Sequence, residues 1–155
     1  PRASPLRRAV VTLGTMRSYQ FPRLLAKLSQ IIPPEVDVLW QTGSTPVADL
    51  PIVANPWVPA DELASAMTSA DVIVGHCGSG TAIGALKSGS YAVLVPRHSG
   101  RGENVDDHQI ALAQDLSARG LACTPSVEEL TLAHLEQAAT RRVERNAEPP
   151  PFELD

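Results

Sequence analysis

The sequence predicts an α/β domain built on a mostly parallel sheet of about six strands with helices on both faces. Short β-branched runs alternate with amphipathic stretches, the pattern of repeated βα units. Most of the runs are uniformly apolar, so both faces of the sheet should be covered. The 155 residues, 43% hydrophobic and 19% charged, suffice for one domain with a core of its own.

The expected strands are Ala9 to Leu13, Val36 to Trp40, Ile52 to Ala54, Asp71 to Val74, Tyr91 to Val95 and Leu121 to Thr124. Helices fall between them. Phe21 to Ile32 carries Leu24, Leu25, Leu28, Ile31 and Ile32 on one stripe and ends before Pro33 and Pro34. Ala60 to Met67 follows Pro59, with Asp61 and Glu62 near its positive end. A helix follows Thr81, and another, Asn104 to Arg119, turns Ile110, Leu112, Ala113 and Leu116 inward and stops at Gly120. The last is expected from Glu128 to about Arg145. Residues 1–8, rich in proline and arginine, read as a linker, 9–147 as the domain, and 148–155 as an extended tail that three prolines keep from being helical.

With 13 Lys and Arg against 17 Asp and Glu, the net charge of -4 provides no basic surface for nucleic acid. Cys77 and Cys123 lie apart in apolar stretches without metal-ligand spacing, so they read as reduced thiols of a cytoplasmic protein, with no metal and no cofactor expected. No run approaches the roughly 20 apolar residues that span a bilayer.

The strongest chemical signal is a strand, a glycine-rich turn and a helix: Asp71 to Val74, then His76-Cys77-Gly78-Ser79-Gly80-Thr81. Glycines there allow close backbone approach, and a helix start offers unpaired N–H groups and partial positive charge, which suits a phosphate. Ser79 and Thr81 add hydroxyls, and His76 is placed to donate to a diphosphate oxygen. By itself such a turn serves equally to pack helix against strand, and a lone histidine is more often an ordinary hydrogen-bonded one. It is neither a Walker loop nor a dinucleotide fingerprint, since the lysine and the G-x-G-x-x-G spacing are missing.

Other turns also follow strand carboxyl ends, where open α/β sheets bind ligands. After the fifth strand come Pro96-Arg97 and then Gly102 to Gln109. Asp106, Asp107 and Gln109 suit sugar hydroxyls, although acids at a helix start also serve as caps. Gly14 and Thr15 after the first strand can approach the same phosphates. Gln41-Thr42-Gly43 reads as a plain turn at least as well. Asn55 to Pro59 offers backbone to edge a planar base, with Trp57 expected as a packing residue.

Taken in order, Val11-Thr-Leu-Gly-Thr15, Ala70-Asp-Val-Ile-Val-Gly-His-Cys-Gly-Ser-Gly-Thr81, Gly89, Val95-Pro-Arg97 and Asp106-Asp-His-Gln109 resemble the C-terminal domain of glycosyltransferase family 28. The similarity runs from about Val10 to Gly120. It implies the GT-B architecture of two facing Rossmann-like domains, of which this would be the nucleotide-sugar half. Within the family, the sequence is similar to small catalytic subunits that join a membrane-bound partner to form an N-acetylglucosaminyltransferase, and to bacterial polysaccharide relatives.

The resemblance implies a UDP-sugar donor. It assigns the diphosphate to Gly14, Thr15, His76, Gly78, Ser79, Gly80 and Thr81, the sugar to Asp107, His108 and Gln109, and the base to the backbone of Val58. Where many relatives carry a glutamate for the ribose hydroxyls, eight residues after His76, this chain has Gly84. It also implies inverting transfer to an acceptor hydroxyl, with the base supplied by an acceptor-binding domain or partner subunit, so no catalytic base is expected in this chain. Half of a nucleotide-sugar epimerase and a non-catalytic sugar-nucleotide-binding module are the alternatives.

Overall fold

The structure, a computed structural model, describes residues 6–14 and 19–141. Six strands, β1 (Arg8–Thr12), β2 (Asp37–Gln41), β3 (Ala54–Asn55), β4 (Val72–His76), β5 (Ala92–Val95) and β6 (Ala122–Cys123), pair in parallel in the order β3-β2-β1-β4-β5-β6. The helices are α1 (Pro22–Ile31), α2 (Ala60–Ser69), α3 (Ser79–Lys87), α4 (His108–Ala118) and α5 (Leu132–Ala139), with a 3₁₀ turn at Ser99–Arg101. This is the doubly wound architecture that the alternating pattern predicts. Its strand order reverses between β1 and β4, the place where such sheets open a crevice for ligands.

Alternation along each strand divides the core into two layers. Ala9, Val11, Val72, Val74, Val93 and Val95 pack with Phe21, Leu24, Leu25 and Leu28 of the α1 region and Leu135 of α5. Val10, Ile73, Ala92 and Leu94 pack on the opposite face with Met67 of α2, Ala82 and Ala85 of α3 and Leu112 of α4. Leu24, Leu25 and Leu28 have no exposed surface, so truncating any one to alanine would cost about 2–5 kcal/mol.

Several boundaries differ from expectation for local reasons. Strand β4 continues through Gly75 and His76, where Gly75 pairs with Thr12 of β1. Helix α4 begins at His108 and not Asn104, because side chains in 104–107 bond to nearby backbone: Asn104 Oδ1 accepts the Val105 N–H, Asp106 the His108 N–H and Asp107 the Ser99 N–H. Helix α5 begins at Leu132, since Ser126 and Glu129 close a separate turn through reciprocal bonds. At the amino end, Leu6 is buried in the core and Arg8 opens β1, so regular structure starts within the segment read as linker. The expected tail and the end of the last helix, 142–155, lie outside the described residues. Among the described residues no helix is long and apolar enough to cross a membrane, and no group of three His, Cys, Asp or Glu is placed to hold a metal ion.

Candidate functional site

Because β1, β4 and β5 are neighbouring parallel strands, the turns after them open on one edge of the sheet. A cavity of about 620 Å³ lies there, lined by Thr12, Gly14 and His76 on its floor, by Gly80, Thr81 and Gly84 of α3, and by Leu63 and Met67 of α2. Its lining includes Lys87 and, among the described residues, no carboxylate. The cavity runs along α3 from its N-terminal turn, the end that suits an anion, to Lys87 in its last turn.

Two glycines bring β1 and β4 together at the cavity floor. At Gly75 a side-chain carbon would stand 2.6 Å from the Thr12 carbonyl oxygen, which only glycine permits. Gly14 takes a φ of +70°, and a side-chain carbon there would stand 2.7 Å from His76 Nε2. Thr12 fixes this turn, its Oγ1 accepting the Gly14 N–H at 3.1 Å and Gln41 Nε2 at 2.8 Å. Gln41 Oε1 in turn accepts the Val58 N–H at 2.8 Å. A chain of bonds thus joins the backbone expected at the base to the turn expected at the phosphates.

Helix α3 starts at Ser79 with Gly78, which has no side chain to cap it, as its N-cap. Ser79 and Thr81 are buried, whereas Gly80 is exposed on the cavity wall, and a side-chain carbon there would meet nothing within 4 Å. Gly80 is therefore not a packing requirement of the fold.

Behind the turn lies a buried polar cluster. His76 Nδ1 is 3.1 Å from Arg97 Nε and 3.2 Å from Gln109 Nε2, and the Arg97 backbone N–H donates to Gln109 Oε1 at 3.1 Å. The Arg97 guanidinium also donates to the carbonyls of Leu13, Tyr19 and Glu103, at 2.9, 3.2 and 3.3 Å, and lies over the Phe21 ring. Burial pushes the pKa of His76 down to about 3, assisted by the charge of Arg97 and by His108.

The structure brings Gly14, His76, Gly80 and Thr81 to the cavity, with Gly78 and Ser79 buried just behind. Thr15 lies outside the described residues. Of the residues assigned to the sugar, Asp107 and His108 are exposed, whereas Gln109 is fully enclosed, held by Arg97 and His76. Asp107 does not cap α4 with its side chain, and the Ser99 N–H holds its carboxyl below the usual range. Asp106 is likewise lowered by the His108 N–H and pairs with the His108 ring. Val58, expected at the base, is buried with its N–H engaged by Gln41. Trp57, expected as packing, is 66% exposed, three residues before Ala60 of the cavity lining.

Sequence reading missed the bracing roles of Arg97 and Gln41, and the burial of Asn104. Asn104 Nδ2 is the buried side-chain atom without a hydrogen-bond partner among the described residues. A polar residue in a loop gives no sign of burial before the chain is folded.

A six-stranded doubly wound parallel sheet with a crevice at its switch point is the fold of the C-terminal domain of GT-B glycosyltransferases. The chain belongs to the glycosyltransferase family 28 C-terminal domain family, whose model matches residues 9–151. Among solved structures it is similar to MurG of Acinetobacter baumannii, with 26% identity and a TM-score of 0.57 over 90% of this chain and 42% of that one. The calicheamicin glycosyltransferase CalG4 shares its fold at 21% identity and a TM-score of 0.63, over 92% of this chain and 36% of that one. So does the glycosyltransferase SnogD from Streptomyces nogalater, at 22% and 0.60, over 90% and 37%. The chain thus spans well under half the length of these enzymes. No curated protein matches it.

Proposed function

We propose that this domain binds a UDP-sugar in the cavity between the carboxyl ends of β1 and β4 and serves as the donor half of an inverting glycosyltransferase. The observation that carries this reading is the start of α3 at Gly78, with Gly80 open to a cavity that has no carboxylate among its described lining residues. The diphosphate lies against Gly14 and the first turn of α3, the base along Val58 and the exposed Trp57, and the sugar toward Asp107 and His108. Negative charge on the departing nucleoside diphosphate is then met by the helix start and by His76. An acceptor hydroxyl attacks the anomeric carbon, its proton taken by a base on a second domain or subunit. That partner half also carries the acceptor, for polysaccharide or glycolipid synthesis, and locates the enzyme at the cytoplasmic face of a membrane. N-acetylglucosamine is the sugar this reading favours, from the likeness to two-component transferases.

Calorimetry with UDP and UDP-N-acetylglucosamine tests the proposal. Binding to the isolated domain, with uridine at least tenfold weaker than UDP, is expected, and so is the absence of transfer until a partner half is added. No binding at millimolar concentration, or efficient transfer by this chain alone, refutes it.

A further inference from the structure

We infer that Arg97 and Gln109 are positioning residues that hold His76 as a neutral imidazole with its proton on Nε2, so that the ring meets a phosphate as a hydrogen-bond donor and not as a cation. The identity of the ligand rests on the nucleotide-sugar reading above. The protonation pattern rests on geometry alone.

The backbone N–H of Arg97 can only donate, and it reaches Gln109 Oε1 at 3.1 Å. That contact fixes which end of the amide is oxygen, so the NH₂ end faces His76 Nδ1 at 3.2 Å. The guanidinium N–H at Nε, also a donor only, reaches the same Nδ1 at 3.1 Å. Two obligate donors on one ring nitrogen exclude a proton from it. A neutral imidazole carries one proton, which must then sit on Nε2, the atom facing the Gly14 turn at the cavity floor.

A second proton would have to displace both donors, in a buried site beside a guanidinium. His108 at the start of α4, paired with Asp106, also disfavours a charge on the ring. Arg97 is itself held by the carbonyls of Leu13, Tyr19 and Glu103, so it cannot swing away without losing all three bonds. By drawing electron density toward Nδ1, it strengthens Nε2–H as a donor. Gln109 therefore acts on a ligand through His76.

Ring-nitrogen NMR of the full chain labelled with ¹⁵N-histidine tests this, the His76 signals being those lost in His76→Asn. Nε2 should be protonated and Nδ1 unprotonated from pH 8 to pH 5, without titration. A proton on Nδ1, or a midpoint between 6 and 7, overturns the inference and needs no further variant. Gln109→Glu keeps the shape and the acceptor for the Arg97 N–H, but turns an acceptor toward Nδ1. It should move the proton to Nδ1 or bring a titration into this pH range, and weaken UDP-N-acetylglucosamine binding at least tenfold. An unaltered ring spectrum in folded Gln109→Glu removes the positioning role of Gln109. If the wild-type chain does not bind UDP-N-acetylglucosamine, the nucleotide-sugar reading fails while the spectrum still decides the tautomer.

Discussion

Replacing Gly80 with alanine separates ligand binding from packing, because the structure assigns the two effects opposite signs. Gly80 is the second residue of α3, and a side-chain carbon there meets no atom within 4 Å. Nothing in the fold opposes the methyl group, and alanine restricts the unfolded chain and favours the helix. The interior value of about 0.5–1 kcal/mol is an upper bound for a first-turn position. The melting temperature should therefore stay constant or rise by up to about 2–4 °C. The same methyl group projects into the cavity where a diphosphate oxygen would approach the helix N–H groups. Losing one hydrogen bond to a charged group is worth about 1.5–3 kcal/mol, so UDP affinity should fall at least about tenfold. Uridine, lacking the diphosphate, should bind as before. Calorimetric titration with both ligands, alongside a melting scan, reads all three quantities. Unchanged UDP affinity in the alanine variant, or a melting temperature lowered by several degrees, would refute the reasoning. Gly80→Val should show a larger loss of affinity, with a small loss of stability from its β-branch.

Gly75→Ala should behave oppositely, since its methyl group meets the Thr12 carbonyl at 2.6 Å: a loss of about 1–3 kcal/mol in denaturant unfolding is expected, and wild-type stability would show that β1 and β4 can move apart. His76 has a folded pKa of about 3 against an ordinary value of 6.5, so the unfolded chain binds the extra proton between them. Stability contributed by neutral His76 is complete above pH 6.5 and is lost as pH falls, with a slope of up to about 1.4 kcal/mol per pH unit. Urea unfolding from pH 6.5 to 5, above the range of the carboxylates, should show this slope, and His76→Asn should lack it. Gly84→Glu adds a carboxylate to the cavity wall, where only the flexible Met67 sulfur, at 3.3 Å, must shift. The preference for UDP over 2′-deoxy-UDP should rise by roughly tenfold from a hydrogen bond worth about 1.5 kcal/mol, and an unchanged ratio would place the ribose elsewhere.

What could be read from sequence was whatever depends on neighbours along the chain. Uniformly apolar runs such as Ala9 to Leu13 and Tyr91 to Val95 announced a sheet covered on both faces, and the glycine turn after β4 announced a helix start at the sheet edge. Other features depend on residues distant in sequence. Gly75 and His76 are poor strand formers by propensity, yet β4 runs through them because β1 and β5 pair alongside. Gln109, in a run of polar residues, reads as a sugar contact, and only the closure of α4 onto the end of β5 buries it against Arg97. Trp57 went the other way, an aromatic residue whose short proline-bound segment leaves it outside the core.

The polar residues beneath the cavity form two braces, and together they explain why the protein keeps so many hydrogen-bonding groups inside. Val58, Gln41, Thr12 and Gly14 are joined in sequence on the β1 side, and Arg97, Gln109 and His76 on the β4 side. Burying a guanidinium is costly unless its donors are satisfied, and for Arg97 they are met by the ends of three separate segments. Each contact therefore also fixes a turn that lines the site. The two braces meet where Gly14 touches His76, at the crossing point of the sheet. On the donor-half reading proposed above, donors held this way would need no reorganisation as charge developed on a leaving diphosphate, which is the condition under which hydrogen bonds contribute most to a transition state. A floor built from long, flexible lysines on the surface would lose that advantage to side-chain entropy and to screening by salt.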